Sequence, residues 1–340
     1  MAAKAPACIF FIFALYLNYI KHTEANLNNG FIYSDDNKRY HTFNYHLKHK
    51  FGCKVFKVSL NAGFTCPNID GSKGYGGCSY CSSSGSGDFA GNPADNVLTQ
   101  FESIKSKMHD KWQNGKYIAY FQAHTNTYAP VCRLKEIFEP VLGLENVVGL
   151  SIATRADALP DDVVNYLADL SRRTYLIVEL GLQSVFDKTG EYINRCHTYE
   201  EFLQGYEKLA EKGINVCVHI INGLPFETHE MMMTTAKELA KLKLHSLKIH
   251  SLHIIRGTKI ASAYLNGDFK LMTRDEYVNT VCDQLELLPP ELIIQRVTGD
   301  GDAKQLIAPE WSIKKVCVIN EIDKLMQKRN SWQGKRFNII

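Results

Sequence analysis

FTCPNIDGSKGYGGCSYC, residues 64–81, places three cysteines, Cys66, Cys78 and Cys81, in one glycine-rich loop. A C-x2-C pair closes on one metal centre, and a third thiolate twelve residues upstream joins it through the flexible loop. Structural zinc takes four ligands, and a [4Fe–4S] cube ordinarily takes four cysteines. Three thiolates therefore leave one metal position open to something other than this loop. On these residues alone, a zinc site and an iron–sulfur cluster both stand.

The stretch just before the loop, KVFKVSLNA (54–62), has the β-branched pattern of a buried strand. Five similar runs follow: 116–123, 146–153, 174–182, 214–223 and 246–255. Between them lie helical patterns at 95–113, 133–142, 161–171, 199–212 and 229–242, the third opened by Pro160 and two carboxylates, Asp161 and Asp162. Six βα units in succession predict an α/β fold with a parallel sheet and right-handed crossovers. An open dinucleotide-binding sheet needs G-x-G-x-x-G after its first strand. The cysteine loop stands there instead, and GSGDFAG (85–91) has the wrong spacing, which favours a partial or near-complete (β/α) TIM-type barrel. In such barrels chemistry gathers at strand C-termini. HTNT (124–127), TRAD (154–157), LQS (182–184) and NGLP (222–225) follow the later strands, so they are expected at the same mouth as the cysteines. Residues 28–270 form the expected core. Residues 271–340 form a C-terminal α/β extension with a helix (273–288), a strand-like run (291–297), a Gly/Asp turn (298–302) and a basic helix (312–330), packed on the barrel and closing its open side.

At 340 residues and 45% hydrophobic content the chain can bury a core without disulfides, so most of its other cysteines, Cys8, Cys53, Cys132, Cys196, Cys217, Cys282 and Cys317, read as small buried hydrophobes in a reducing compartment, with Cys53 and Cys132 open as a fourth ligand or a radical-relay residue. Residues 1–27 read as an extension or a weak signal-like segment; their apolar run, 7–17, is too short to span a membrane. The expected location is the cytoplasm. Net charge is only +3, yet it is uneven: Lys38–Lys57 holds six Lys/Arg, three His and no acid, and Lys314–Arg336 holds seven Lys/Arg against two acids. These stretches are candidate phosphate contacts. Tyr40, Phe43, Tyr45 and Phe51 interleave with the first, either to stack on unpaired bases or to form the apolar face of a docking helix. His124, His219, His245, His250 and His253 invite a second metal site. Strand alternation predicts that His250 and His253 face opposite ways, which argues for ordinary core or mouth histidines.

Beyond the cysteines, KVSLNAGFTCPN, GGCSYCSSSGSGDFAG, YFQAHTNTYAP, VELGLQS, INRCHT, HIINGLP and RVTGDGD together resemble the YhcC/YtqA-type radical S-adenosylmethionine (SAM) proteins, relatives of the radical SAM domain of the elongator catalytic subunit. The resemblance covers residues 30–338. The gap between Cys66 and Cys78 departs from the superfamily's usual C-x3-C-x2-C but is typical of this branch. It implies that Cys66, Cys78 and Cys81 hold a [4Fe–4S] cluster whose open iron chelates SAM. Reductive cleavage then gives methionine and a 5′-deoxyadenosyl radical, with flavodoxin or ferredoxin as electron donor. It also implies SAM contacts from Tyr80 beside the adenine, from His124 and Thr125 in the place of a Gly-Gly-Glu segment, and from Gln183 and Arg195 to ribose or carboxylate groups. Glu179 reads as a buried carboxylate in need of a partner. Ala153 stands where elongator relatives place a glutamate, Ala156 where proline is usual, and Cys196 and Phe226 where glycine is usual. The implied substrate is tRNA, at the side chain of a wobble uridine, with no acetyltransferase domain after residue 270. A radical SAM enzyme acting on a small metabolite or protein, and a non-catalytic iron–sulfur redox sensor, are the competing expectations.

Overall fold

A computed structural model describes residues 31–109 and 115–337. The N-terminal extension, Cys8 and the end of the predicted 95–113 helix lie outside the described residues. Seven parallel strands form one sheet: β1 (Val55–Leu60), β2 (Lys116–Phe121), β3 (Val147–Thr154), β4 (Tyr175–Gln183), β5 (Asn215–Asn222), β6 (Ser246–Ser251) and β8 (Ile293–Arg296), in the spatial order β1-β2-β3-β4-β5-β6-β8. A short antiparallel pair, β7 (Ile254–Ile255) and β9 (Leu306–Ala308), stands apart from it. The six predicted strands are all present, within two residues except for the last, where β6 stops at Ser251. The seventh comes from the C-terminal extension, which adds β8 beside β6. The sheet is a half-barrel, not a closed one. Along the far edge of β8 runs the segment at Thr42, bridged to Ile294, whose N–H donates to the His41 carbonyl at 2.7 Å.

Helices cover the outer face. After α1 (Phe43–Phe51) come α2 (Val97–His109), α3 (Val131–Leu142), α4 (Asp161–Arg173), the short α5 (Asp187–Tyr192), α6 (Tyr199–Glu211), α7 (His229–Ala240), α8 (Lys259–Leu265), α9 (Arg274–Leu287) and α10 (Lys315–Lys328). Beneath them Val58, Leu60, Ile152, Leu180, Val218, Ile220, Leu247 and Ile249 are all 0–1% exposed. At about 1.5–3 kcal/mol per fully buried aliphatic side chain, this sheet–helix interface is the main hydrophobic core. The inner face behaves oppositely. Lys57, Ser59, Ala153, Gly181, His219, Ile221, His250 and Gln295 are only half-buried, so the concave side is an open lumen.

The bottom of that lumen is plugged by α1. Thr42 caps it, accepting from the Tyr45 N–H at 3.1 Å, and Gly52 ends it in the left-handed region at φ 71°. Leu47 packs with Val55 and Ile118, joined by Phe43 and Phe51. His46 Nε2 meets the Tyr175 hydroxyl at 3.1 Å, and that hydroxyl meets His245 Nε2 at 3.0 Å. Val55, Tyr175 and His245 stand at or just before strand N-termini. Of the two readings of the aromatics, the docking helix fits: Phe43 and Phe51 form its apolar face and Tyr40 is buried, whereas Tyr45 is only half-buried. The two basic stretches do meet, Lys38 pairing with Asp323 and the Gln333 N–H donating to the Arg39 carbonyl at 2.8 Å. The first stretch, however, lies at the end of the strands opposite the cysteine loop.

Candidate functional site

The cysteine loop leaves the C-terminal end of β1 and is tied down across the barrel mouth. Its turns are local: the Ile69 N–H donates to the Cys66 carbonyl at 2.8 Å, and that of Cys81 to the Cys78 carbonyl at 3.0 Å. Its anchors are not. The Thr125 N–H, after β2, donates to the Thr65 carbonyl at 3.2 Å; the Ser79 N–H donates to the Ile193 carbonyl at 2.8 Å; and the Ile260 N–H, in α8, donates to the Ser79 carbonyl at 2.9 Å. Asn68 Nδ2 donates to the Asn194 carbonyl at 2.5 Å, and Asn194 Nδ2 returns to the Gly77 carbonyl at 2.7 Å. The polar motifs at the strand ends thus converge on one mouth.

Burial pushes the Cys78 thiol up, with Arg155 opposing, and pushes Cys81 up to about 12 with help from its neighbour Cys78. Such thiols ionise only beside strong positive charge, which bound metal supplies. Among the described residues the one metal-binding trio with ligand atoms within 4.8 Å of one another is Glu179, Cys217 and His219. Three free cysteines in one tied-down loop, one ligand short of a closed tetrahedral zinc site, fit an iron–sulfur cluster with an open position. Among the described residues, buried oxygens of Asn68, Ser79 and Asn126 have no hydrogen-bond partner, so the mouth also has polar atoms left for a ligand.

The expected SAM contacts fall in different places. Tyr80 sits between the two cysteines of the C-x2-C pair and packs against the apolar cluster that contains Ile193, Leu252 and Ile260. His124 occupies φ 58°, its N–H donating to the Gly85 carbonyl at 2.9 Å; a Cβ on Gly85 would lie 2.3 Å from its ring. Thr125 is buried in the strap to Thr65. Gln183 ends β4 on a bulge at φ 65° and lies over Gly181. Arg195 departs from expectation. It is 1% exposed, and four of its five N–H groups are used within the chain: Nε to the His197 carbonyl, Nη1 to the Leu182 and Ser184 carbonyls, Nη2 to Asp187. The fork that would grip a carboxylate is already engaged, so Arg195 pins the loop after β4. Gly190 makes room for it, since a Cβ there would sit 2.8 Å from Nη2.

The cation at the cluster loop is instead Arg155. It holds Asp157 bidentately at 2.8 and 2.9 Å and donates to the Arg195 carbonyl at 2.8 Å, while its charge reaches Cys78 and Cys66. The T-R-A-D run marked the position, but nothing in the residue types distinguished it from a surface ion pair. Six non-glycine residues of the mouth have positive φ: Ser86, His124, Gln183, Asn194, Cys196 and Phe226. Backbone strain concentrated this way is a mark of functional sites. Cys196 (58°) and Phe226 (66°) are the two positions where the sequence lacked the usual glycine. An exposed aromatic rim completes the mouth: Tyr75 is 77% and Phe226 67% exposed, and Phe226 packs edge-on to Tyr192 at 5.1 Å. The histidine argument also needs correction. β6 ends before His253, so alternation does not govern it, and both His250 and His253 face Gly299.

Two family models match the chain, the radical SAM superfamily over residues 73–239 and the radical SAM C-terminal domain over residues 244–328. The chain is 56% identical to YtqA of Bacillus subtilis, over 91% of this chain and 96% of that one. It is 25% identical to a tRNA uridine(34) acetyltransferase of Methanocaldococcus jannaschii, over 47% of this chain but only 30% of that protein. Among solved structures, the Elp3 of Methanocaldococcus infernus with its N-terminus deleted superposes with a TM-score of 0.63 at 18% identity, over 82% of this chain and 64% of that one. No helix among the described residues is long and apolar enough to cross a membrane. Half-barrel, cysteine loop and relatives agree: the chain belongs to the radical SAM superfamily, in the group of YtqA, and is an enzyme of the kind that uses a [4Fe–4S] cluster and SAM.

Proposed function

We propose that this enzyme modifies the side chain of a wobble uridine in tRNA by radical chemistry. The observation that carries the reading is the aromatic rim, Tyr75 with the Tyr192–Phe226 pair, exposed at the same mouth as the cysteine loop. Exposed rings gain nothing for folding, and Phe226 is also held at positive φ. Rings of this kind stack on unpaired bases, which is how proteins read single-stranded loops of RNA. The M. jannaschii relative is named for uridine 34 of tRNA, and this chain matches 30% of that protein's length.

The residues divide the work as follows. Cys66, Cys78 and Cys81 would hold the cluster, and Tyr80, His124, Thr125 and Gln183 would serve SAM from the strand ends around it. Bound together, cluster and SAM supply a carbon radical able to take hydrogen from an unactivated C–H bond. The α1 plug closes the lower end of the lumen, and Arg155, Asn68 and Asn194 tie the loops of the mouth together. A small electron-transfer protein such as flavodoxin or ferredoxin would deliver the electron. Mass spectrometry of tRNA nucleosides from a strain lacking the gene tests the reading: loss of one mature wobble uridine and accumulation of its precursor is expected. An unchanged nucleoside profile would sink it.

A further inference from the structure

We propose that the outer surface of the small lobe built from β7, β9 and α8 guides the phosphodiester backbone of the RNA into the mouth. The inference rests on the tRNA reading above and adds where the RNA lies. The lobe has its own core, with Leu252, Ile254, Ile260, Phe269 and Ala308 packed apart from the sheet–helix core of the barrel. β7 and β9 form a sheet of their own, so the seven-stranded sheet is complete without them. What the lobe does touch is the cysteine loop. Tyr80 packs against its core, and the Ile260 N–H donates to the Ser79 carbonyl at 2.9 Å.

The charge on the lobe says what it presents. Residues 252–272 and 302–315 hold six cations, Arg256, Lys259, Lys270, Lys304, Lys314 and Lys315, against Asp268, Asp302 and Glu310. All six cations are exposed. Lys315 pairs with Asp300, and among the described residues the other five have no ion pair. Asp302 is occupied by its own turn, accepting from the Lys304 N–H at 3.0 Å. Three of the free cations fall in a row. The Arg256 N–H donates to the Gln305 carbonyl at 2.8 Å, which sets Arg256 beside Lys304 across the β7–β9 ladder. Three residues on, the Lys259 ammonium stands 2.9 Å from where a Cβ on Gly76 would be, and Gly76 follows the exposed Tyr75. The ridge Lys304–Arg256–Lys259 therefore leads onto the aromatic rim. Phosphate contacts fix register while rings take unpaired bases, and this surface offers both in sequence. An acidic protein would be drawn by the same charges, but the ring at the end of the row favours RNA.

The test measures binding of bulk tRNA, from a strain lacking the gene, to the cluster-reconstituted full-length protein between about 50 and 200 mM KCl. Arg256→Ala/Lys304→Ala should bind about 10-fold more weakly, with a log–log salt slope shallower by about 1.5, roughly 0.7–0.9 for each lost phosphate contact. Adding Lys259→Ala should deepen both effects. Lys50→Ala/Lys54→Ala, at the barrel floor, should match the parent. A ridge variant that binds like the parent, or a floor variant that loses affinity in its place, would overturn the ridge and leave the tRNA reading standing. Absence of saturable tRNA binding by the parent would remove the tRNA reading and the ridge together. A second arm drives SAM cleavage with reduced flavodoxin or with dithionite. Ridge variants that lose only the flavodoxin-driven reaction, with tRNA binding intact, would assign the surface to an acidic redox partner and overturn the proposal.

Discussion

Replacing Glu179 with glutamine keeps the side-chain volume and removes the negative charge that Lys57 and Lys248 share. Glu179 accepts from Lys57 at 2.5 Å, Ser151 at 2.5 Å and His219 at 2.7 Å, and pairs with Lys248. Breaking a buried pair by removing one partner costs about 3–5 kcal/mol. At about 2 °C per kcal/mol for a chain of this size, Glu179→Gln should melt about 6–10 °C lower at pH 7. The pH dependence carries a sharper signature. Burial lowers Lys248 to about 8 in the folded protein, against an ordinary 10.5, even with Glu179 present. Without that carboxylate Lys248 falls further, so the folded variant carries fewer protons than the unfolded chain across pH 6–8. Its stability should then rise with pH in that window, by up to about 1.4 kcal/mol per unit. The parent gains from Lys248 only between its folded value and 10.5. Urea unfolding at several pH values measures both. A variant as stable as the parent, or one with the parent's pH slope, would refute the account of the floor.

Four further outcomes are expected. Cys66→Ala, Cys78→Ala and Cys81→Ala should each abolish the cluster's absorption and iron content, whereas Cys53→Ala, at the base of β1, should leave both intact. Cys196→Gly should raise stability by about 0.5–1 kcal/mol, because the left-handed penalty of about 1–2 kcal/mol outweighs the added chain entropy of glycine; calorimetry reads it. Phe226→Gly should gain similarly in stability while raising KM for tRNA and leaving SAM cleavage without substrate unchanged, a split that a purely structural role for the ring would not produce. Gly85→Ala should lower iron content and melting temperature together, since its Cβ would strike the His124 ring at 2.3 Å in a segment that is already left-handed.

Much of the scaffold was legible because buried parallel strands write themselves as β-branched runs, and the strand-end motifs follow them at regular spacing. The cysteine loop was legible for a different reason: its residue types have few other uses at that spacing. What escaped depends on long-range placement. α1 carries a short, basic, aromatic-rich sequence whose burial at the barrel floor only the fold reveals. Arg195 reads like a ligand clamp, yet the carbonyls that occupy it come from Leu182, Ser184 and His197, brought near by the turn after β4. Tyr192 and Phe226 are 34 residues apart in sequence, so their pairing at the rim left no local trace. Strand alternation failed for His253 because β6 stops two residues earlier.

The central claim is that this mouth cleaves SAM to act on RNA. Its most direct test is deoxyadenosine measured by mass spectrometry from anaerobically reconstituted, reduced protein given SAM, with and without bulk tRNA from the strain lacking the gene. The account predicts slow formation with SAM alone and marked stimulation by that tRNA, lost in Cys78→Ala. Formation unaffected by tRNA would contradict the substrate, and no deoxyadenosine under any condition would contradict the enzyme.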